Sequence, residues 1–224
     1  MRNKLNWLEA VLLIAPLVAL LMVWNNLPAR VPIHWNLRGE IDGWGSKASL
    51  LLIPLTNIGI IVLLHILPWF DPKLGRTAGG QGRMQSGLGI IRLALAGFFG
   101  VFFWMLIAAA LGHPVAGRIV PSATLLLLAI IGNYSANLRP NYFVGIRTPW
   151  TLESPETWRA THRLGGRLMF FSSVLLLVLQ FFISESTLII LIVALVIFLA
   201  AWALWYSWRH YHTQGTKLLE SSSR

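Results

Sequence analysis

Thr187-Leu-Ile-Ile-Leu-Ile-Val-Ala-Leu-Val-Ile-Phe-Leu-Ala-Ala-Trp-Ala-Leu-Trp-Tyr206 carries no charged residue. As a helix rising about 1.5 Å per residue it covers about 30 Å, the thickness of a bilayer's hydrocarbon. Five more apolar runs precede it: Leu168–Ile183, Ile119–Asn137, Leu88–Leu111, Ser49–Trp69 and Trp7–Asn25. The run from Leu168 is short at its outer end and extends inward from around Arg163. The pattern predicts an all-α integral membrane protein with six transmembrane helices. Residues 1–212 form a single membrane domain, followed by a polar, disordered tail over 213–224.

Composition agrees. The 224 residues are 56% hydrophobic and 12% charged, where a soluble domain carries about 25% charged residues. Six helices with short loops leave no room for a separate soluble domain. Cys is absent, which excludes a disulfide framework, a thiol nucleophile and a Cys-ligated metal. The formal charge of +10 is a topology signal. With the N-terminus inside, only Arg30, Arg38, Lys47 and Arg118 of the 18 Lys and Arg fall outside. The positive-inside rule therefore places both termini in the cytoplasm. Basic inner loops suit anionic lipid headgroups; direct nucleic-acid binding would need a soluble module. The first run, after Arg2 and Lys4, exceeds a signal-peptide core and no A-x-A-like site follows, so it reads as a retained anchor.

Inside the helices little is polar. Pro16, Pro54 and Pro121 are candidate kinks. Arg92 lies about one turn inside the third helix, placed to snorkel, and Glu9 and His65 sit near inner ends. Asn57, beside Thr56, is strongly polar near mid-membrane and predicts an interhelical hydrogen bond. No chain of Asp, Glu and His crosses the membrane, which disfavours a proton-driven pump. Seven Trp fall at predicted membrane boundaries, as an aromatic belt does. The linker Phe70–Gln85, with Gly79-Gly80-Gln81-Gly82 and Lys73, Arg76 and Arg83, reads as a flexible solvated connection.

Two loops are not generic. The first spans 26–48, outside the membrane, and contains Val31-Pro-Ile-His-Trp-Asn36 and Ile41-Asp-Gly-Trp44. Val31, Ile33 and Trp35 alternate as in a strand, Arg38-Gly39 turns the chain, and Ile41 to Trp44 pack back. This predicts a small ordered cap. Its candidate binding residues are His34, Trp35, Asn36, Asp42 and Trp44, with Glu40 beside them. Three roles stand open: a hydrogen-bonded scaffold using Asn36 or Asp42, a surface for an outside ligand, and a metal site on His34 and Asp42. The spacing matches no closed zinc pattern.

The second loop, 133–167, lies inside. Ser154-Pro155-Glu156 is a helix start: Ser caps, Pro suits the first turn, and Glu favours the positive dipole end. From there Trp158, His162 and Gly165-Gly166 share one face, and Arg159, Arg163 and Arg167 the neighbouring one. The candidate partner-binding residues are Asn133, Arg139, Asn141, Arg147, Trp150, Trp158, His162 and Arg163. The readings are an interfacial amphipathic helix, a convergent site for an anionic or peptide ligand, and general acid/base work by His162. No partner nucleophile supports the last, so no catalytic residue is assigned.

Together the two loops resemble the SdpI family of bacterial membrane immunity proteins. The first is similar in Leu27-Pro28, Pro32, His34-Trp35-Asn36, Gly39, Asp42-Gly43-Trp44 and Ser46-Lys47. The second is similar in Gly132-Asn133, Arg139-Pro-Asn-Tyr-Phe143, Gly145-Ile-Arg-Thr-Pro-Trp-Thr-Leu152, Trp158, Thr161-His-Arg163 and Gly165-Gly166. The likeness covers most of the chain, with no clear departure in either motif. It implies a multi-pass bacterial cell-membrane protein that protects against a secreted toxic peptide, with relay to a cytoplasmic transcriptional repressor as a further role. The lipid bilayer is the remaining partner, and no cofactor is implied. The competing classes are a membrane-embedded hydrolase or transferase using His34/Asp42 or His162, and a small-molecule or lipid transporter.

Overall fold

The computed structural model describes residues 2–73, 81–115 and 117–222. The helices are α1 (Arg2–Val23), α2 (Leu52–Phe70), α3 (Gln81–Ala110), α4 (Ile119–Ser135), α5 (Pro149–Glu153), α6 (Pro155–Leu179) and α7 (Glu185–Ser222). Between α1 and α2 lie two antiparallel strands, β1 (Arg30–Trp35) and β2 (Ile41–Ser46), flanked by 3-10 turns at Trp24–Asn26 and Lys47–Leu51. The Gly79–Gly82 linker falls outside the described residues apart from Gln81 and Gly82, which begin α3.

Five stretches are long and apolar enough to cross a membrane: Trp7–Asn26, Lys47–Phe70, Gly87–Ala110, Pro155–Leu179 and Glu185–Gln214. The sixth apolar run is the shorter α4, of 17 residues. Large apolar side chains point away from the protein along these helices: Leu21, Trp69 and Phe171 are 76%, 85% and 65% exposed. On a water-soluble surface such a belt is a liability; against lipid it is the expected face.

Three expectations change on meeting the fold. The amphipathic segment after Ser154 is not a separate interfacial helix. It runs unbroken into the fifth apolar run as α6, because nothing after the Ser154–Pro155 start breaks the helix and Gly165 and Gly166 are covered by neighbours. Pro54 and Pro121 sit in the first turns of α2 and α4, where the missing N–H costs nothing, so of the three candidate kinks only Pro16 is interior. The stretch read as a disordered tail continues α7 to Ser222, its Gly215 being a weak breaker amid good helix formers.

The helices pack through small residues. α4 and α6 meet backbone to backbone at Gly132 and Gly166. A Cβ built on Gly132 would lie 2.7 Å from the Gly166 carbonyl oxygen and 2.8 Å from the Phe170 nitrogen. Ser135 Oγ adds a hydrogen bond to His162 O, 2.9 Å. Between α2 and α3, buried Asn57 donates from Nδ2 to Ala96 O at 3.4 Å, the interhelical bond its position predicted.

A second polar junction joins α1, α2 and α3. Glu9, buried in α1, faces Arg92 Nε of α3 at 3.4 Å and His65 Nδ1 of α2 at 3.4 Å. His65 Nδ1 also bonds Ile61 O at 2.9 Å; a carbonyl only accepts, so Nδ1 carries the proton. The sequence placed these residues near helix ends but gave no sign that they meet.

Candidate functional site

The predicted ordered cap exists as the β1–β2 hairpin. Val31 is fully buried, and with Leu27 and Leu50 it packs on Leu20 of α1 and Phe103 and Leu106 of α3. The turn is built by Asn36: its Oδ1 accepts from the N–H groups of Arg38 (2.8 Å) and Glu40 (3.1 Å), and its Nδ2 donates to Glu40 Oε2 (2.8 Å). Gly39 holds the left-handed φ of 75° that closes the turn. Asn36 thus takes the scaffold role among those left open.

Across the strands, His34 Nδ1 bonds Asp42 Oδ1 at 2.5 Å. His34 lies opposite Gly43, flanked by register shifts; a Cβ at Gly43 would sit 2.7 Å from His34 Cβ, so only glycine lets the imidazole settle there. Both side chains of the pair are well exposed, at 69% and 44%. An exposed pair contributes about 0–1 kcal/mol to stability, so the fold does not depend on it. Among the described residues no three His, Cys, Asp or Glu side chains converge as a metal site would require. Trp44 is exposed and Trp35 half-buried.

The hairpin reaches across to the start of α7, where Ser186 Oγ donates to Leu37 O at 2.7 Å. Beneath it lies a cavity of about 330 Å³ lined by His34, Trp35, Phe102, Met105, Val120 and Glu185, among others. Nearby, the Arg118 guanidinium clamps the C-terminal end of α6 by donating to the carbonyls of Gln180 and Ile183, the latter at 2.8 Å.

At the opposite end the signature loop folds on itself and on α6. Asn141 is buried and staples the loop: Nδ2 donates to Arg139 O (2.8 Å) and Val144 O (2.9 Å), and Oδ1 accepts from Phe143 N (2.9 Å) and Val144 N (2.6 Å). Arg147 donates to Tyr142 O at 2.7 Å. Thr148 caps α5 in a reciprocal box with Thr151 and reaches Ser207 Oγ of α7 at 2.9 Å. Ser154 caps α6 as expected, with Glu156 in its first turn.

Trp158 and His162 are the buried centre of this end. Their rings stack at 4.1 Å and 20°. Trp158 Nε1 donates to Leu138 O at 2.8 Å. His162 Nδ1 bonds Trp158 O (2.9 Å), and Nε2 accepts from Ile146 N (2.9 Å). Both nitrogens are therefore occupied, which leaves the acid/base reading no free atom. Gly145, at φ 119°, lies against Nε2, so any side chain there would collide with the ring. The predicted convergent site thus separates into two sets. Asn141, Trp158 and His162 are buried structural residues. Asn133, Arg147 and Arg163 are exposed, and Arg139 and Trp150 half-buried. Arg159, Arg163 and Arg167 form the exposed stripe that the helix period predicted.

Sequence reading missed Asp71 and put Lys73 in a flexible solvated linker, yet both are fixed at this same end. Buried Asp71 accepts from Tyr142 N at 2.7 Å and Lys73 N at 2.8 Å. Lys73 Nζ donates to Leu152 O at 2.6 Å and lies 4.6 Å over the Tyr142 ring. The signal was Asp71-Pro72 just past an apolar run, a turn dipeptide whose carboxylate seeks nearby N–H groups. We expect His162→Phe to keep the stack and lose both hydrogen bonds, costing about 1–3 kcal/mol through the stranded Ile146 N–H. A thermal melt of the purified variant matching the parent would show that the loop does not rest on this histidine.

These features define a class: a multi-pass helical cell-membrane protein with an ordered hairpin at one end and a folded signature loop at the other. Residues 137–207 match the SdpI/YfhL protein family, and residues 11–58 match a domain of unknown function (DUF1648). Along its length the chain is 23% identical over 194 residues to the immunity protein SdpI of Bacillus subtilis (strain 168), covering 84% of this chain and 86% of that protein. The likeness to the SdpI family read from the two loops therefore holds. No solved structure matches the chain at a significant level.

Proposed function

We propose that this chain crosses the bacterial membrane six times, with both termini in the cytoplasm, and protects that membrane from a secreted toxic peptide. The observation that carries the reading is the ordered hairpin poised over an apolar cavity, in a chain similar along most of its length to an immunity protein. At 17 residues α4 reaches the lower limit of spanning length, about 17–25. Counting it as a span leaves Arg30, Arg38, Lys47 and Arg118 as the basic residues of the hairpin end, and the positive-inside rule then sets that end outside.

In this reading the hairpin meets the peptide at the outer leaflet, through exposed Trp44 and the His34–Asp42 pair. Because that pair adds little to stability, its removal separates function from folding. His34→Ala and Asp42→Ala should each reduce survival of peptide-challenged cells to that of cells lacking the chain. The amount of membrane-inserted protein should stay unchanged. Unaltered survival with either variant rejects the role of the cap. The relay to a cytoplasmic repressor is favoured by the exposed Arg159, Arg163 and Arg167 stripe of α6, a cationic face suited to an acidic partner.

A further inference from the structure

The cavity beneath the hairpin has a chemistry that selects its occupant. Its volume, about 330 Å³, falls in the roughly 300–1,000 Å³ range of small-ligand sites. Trp35 of the cap, Phe102 and Met105 of α3, Val120 of α4 and Ile192 of α7 make its walls apolar. One carboxylate enters it, that of Glu185. The first turn of α7 favours a negative charge, but the helix is capped by its neighbour: Ser184 Oγ accepts from Thr187 N at 3.1 Å. The Glu185 side chain is free to face the cavity. It lies against two glycines, Gly39 of the hairpin turn and Gly117 before α4, and a Cβ at Gly39 would stand 3.3 Å from its Oε1.

No cation balances this half-buried carboxylate among the described residues. Arg118 is committed to the carbonyls of Gln180 and Ile183. His34 is held by Asp42, and Asn36 by the turn and Glu40. On the hairpin above, Glu40 and Asp42 are offset by Arg30, Arg38 and Lys47, so the preference for a cation comes from the carboxylate in the cavity and not from the net charge of the cap.

We propose that this cavity seats a cationic amphipathic peptide segment, with an apolar side chain between Trp35, Phe102 and Ile192 and an ammonium group on Glu185. The proposal rests on the immunity reading for the peptide's origin, and names the part of the peptide that is grasped. A lysine side chain and an N-terminal amine offer the same ammonium.

The test uses the full chain in nanodiscs, titrated with a synthetic Leu/Lys amphipathic peptide, its N-acetylated form and a Leu/Glu counterpart, followed by tryptophan fluorescence. The Leu/Lys peptide should bind and the Leu/Glu peptide should not. Glu185→Gln, which is isosteric, should weaken binding about 10-fold or more, as losing a charged hydrogen bond does. Val120→Trp, which fills the cavity, should do the same. Glu185→Lys should reverse the preference toward Leu/Glu. Loss on acetylation assigns the N-terminal amine, and binding kept on acetylation assigns lysine. No binding, or equal binding by parent, Glu185→Gln and Val120→Trp, overturns the proposal. Cell survival separates the two layers: if the parent protects and these variants protect equally, the cavity assignment fails while the immunity reading stands. If the parent does not protect, the immunity reading fails and the titration still judges the cavity.

Discussion

Arg92→Leu should destabilise the protein by about 3–5 kcal/mol, the cost of leaving one partner of a buried ion pair alone. The stranded group would be Glu9, 4% exposed, whose side chain is too short to reach the headgroups and whose remaining neighbour, His65 Nδ1, already spends its proton on Ile61 O. Glu9→Leu should cost less, because the orphan is then an arginine about one turn inside the apolar stretch Gly87–Ala110 of α3, and its long stem lets the guanidinium snorkel to the interface. The double variant should recover most of the loss, since an apolar pair of similar volume replaces a pair that had to be desolvated. Denaturation in detergent, run as a double-mutant cycle, measures all three. If both single variants melt like the parent, Glu9, Arg92 and His65 do not hold α1, α2 and α3 together.

The second large effect is steric. Gly166→Val should separate α4 from α6 and prevent accumulation of folded protein. A Cβ at position 166 meets the Gly132 carbonyl oxygen at 2.5 Å and also collides with Ser135 Oγ. Overpacking an apolar core costs about 1–3 kcal/mol when side chains give way, but here the obstacle is the backbone of the facing helix, which cannot rotate aside. Close approach through small residues is how membrane helices associate in the absence of a hydrophobic drive. The contrast is Gly97→Ala in α3, where nothing lies within 4 Å of the added carbon. That change should be neutral or stabilising by about 0.5–1 kcal/mol, the helical preference of Ala over Gly. Comparable yields of monodisperse protein for both substitutions would contradict the account of the α4–α6 junction.

Much of this architecture was legible because bilayer physics writes itself into composition. Thr187–Tyr206 is readable as a span without reference to any other residue, and the hairpin followed from the alternation of Val31, Ile33 and Trp35 with a turn at Gly39. The α6 start was legible from Ser154-Pro155-Glu156, each residue suited to one position of a helix N-terminus. What stayed hidden depends on who faces whom. Asn141 and His162 are polar types that also serve as ligands, and only the placement of Val144 and Ile146 shows that their hydrogen-bonding capacity is spent internally. Glu185 drew no reading from the sequence, since nothing local tells that the hairpin will fold over it. The same holds for Glu9, which lies more than fifty residues from both His65 and Arg92 and meets them only through helix order.

The contacts between distant segments bear on how such proteins can be recombined. Two stretches matching separate families, 11–58 and 137–207, are sewn together on one side of the bundle by Ser186 with Leu37 and by Glu185 with Gly39. On the other side, Asp71 and Lys73, outside both stretches, fasten to Tyr142 and Leu152. A chimera between relatives must therefore transfer these stitches as matched sets; a graft cut at the borders of either stretch alone would import a hairpin with no footing on its new host.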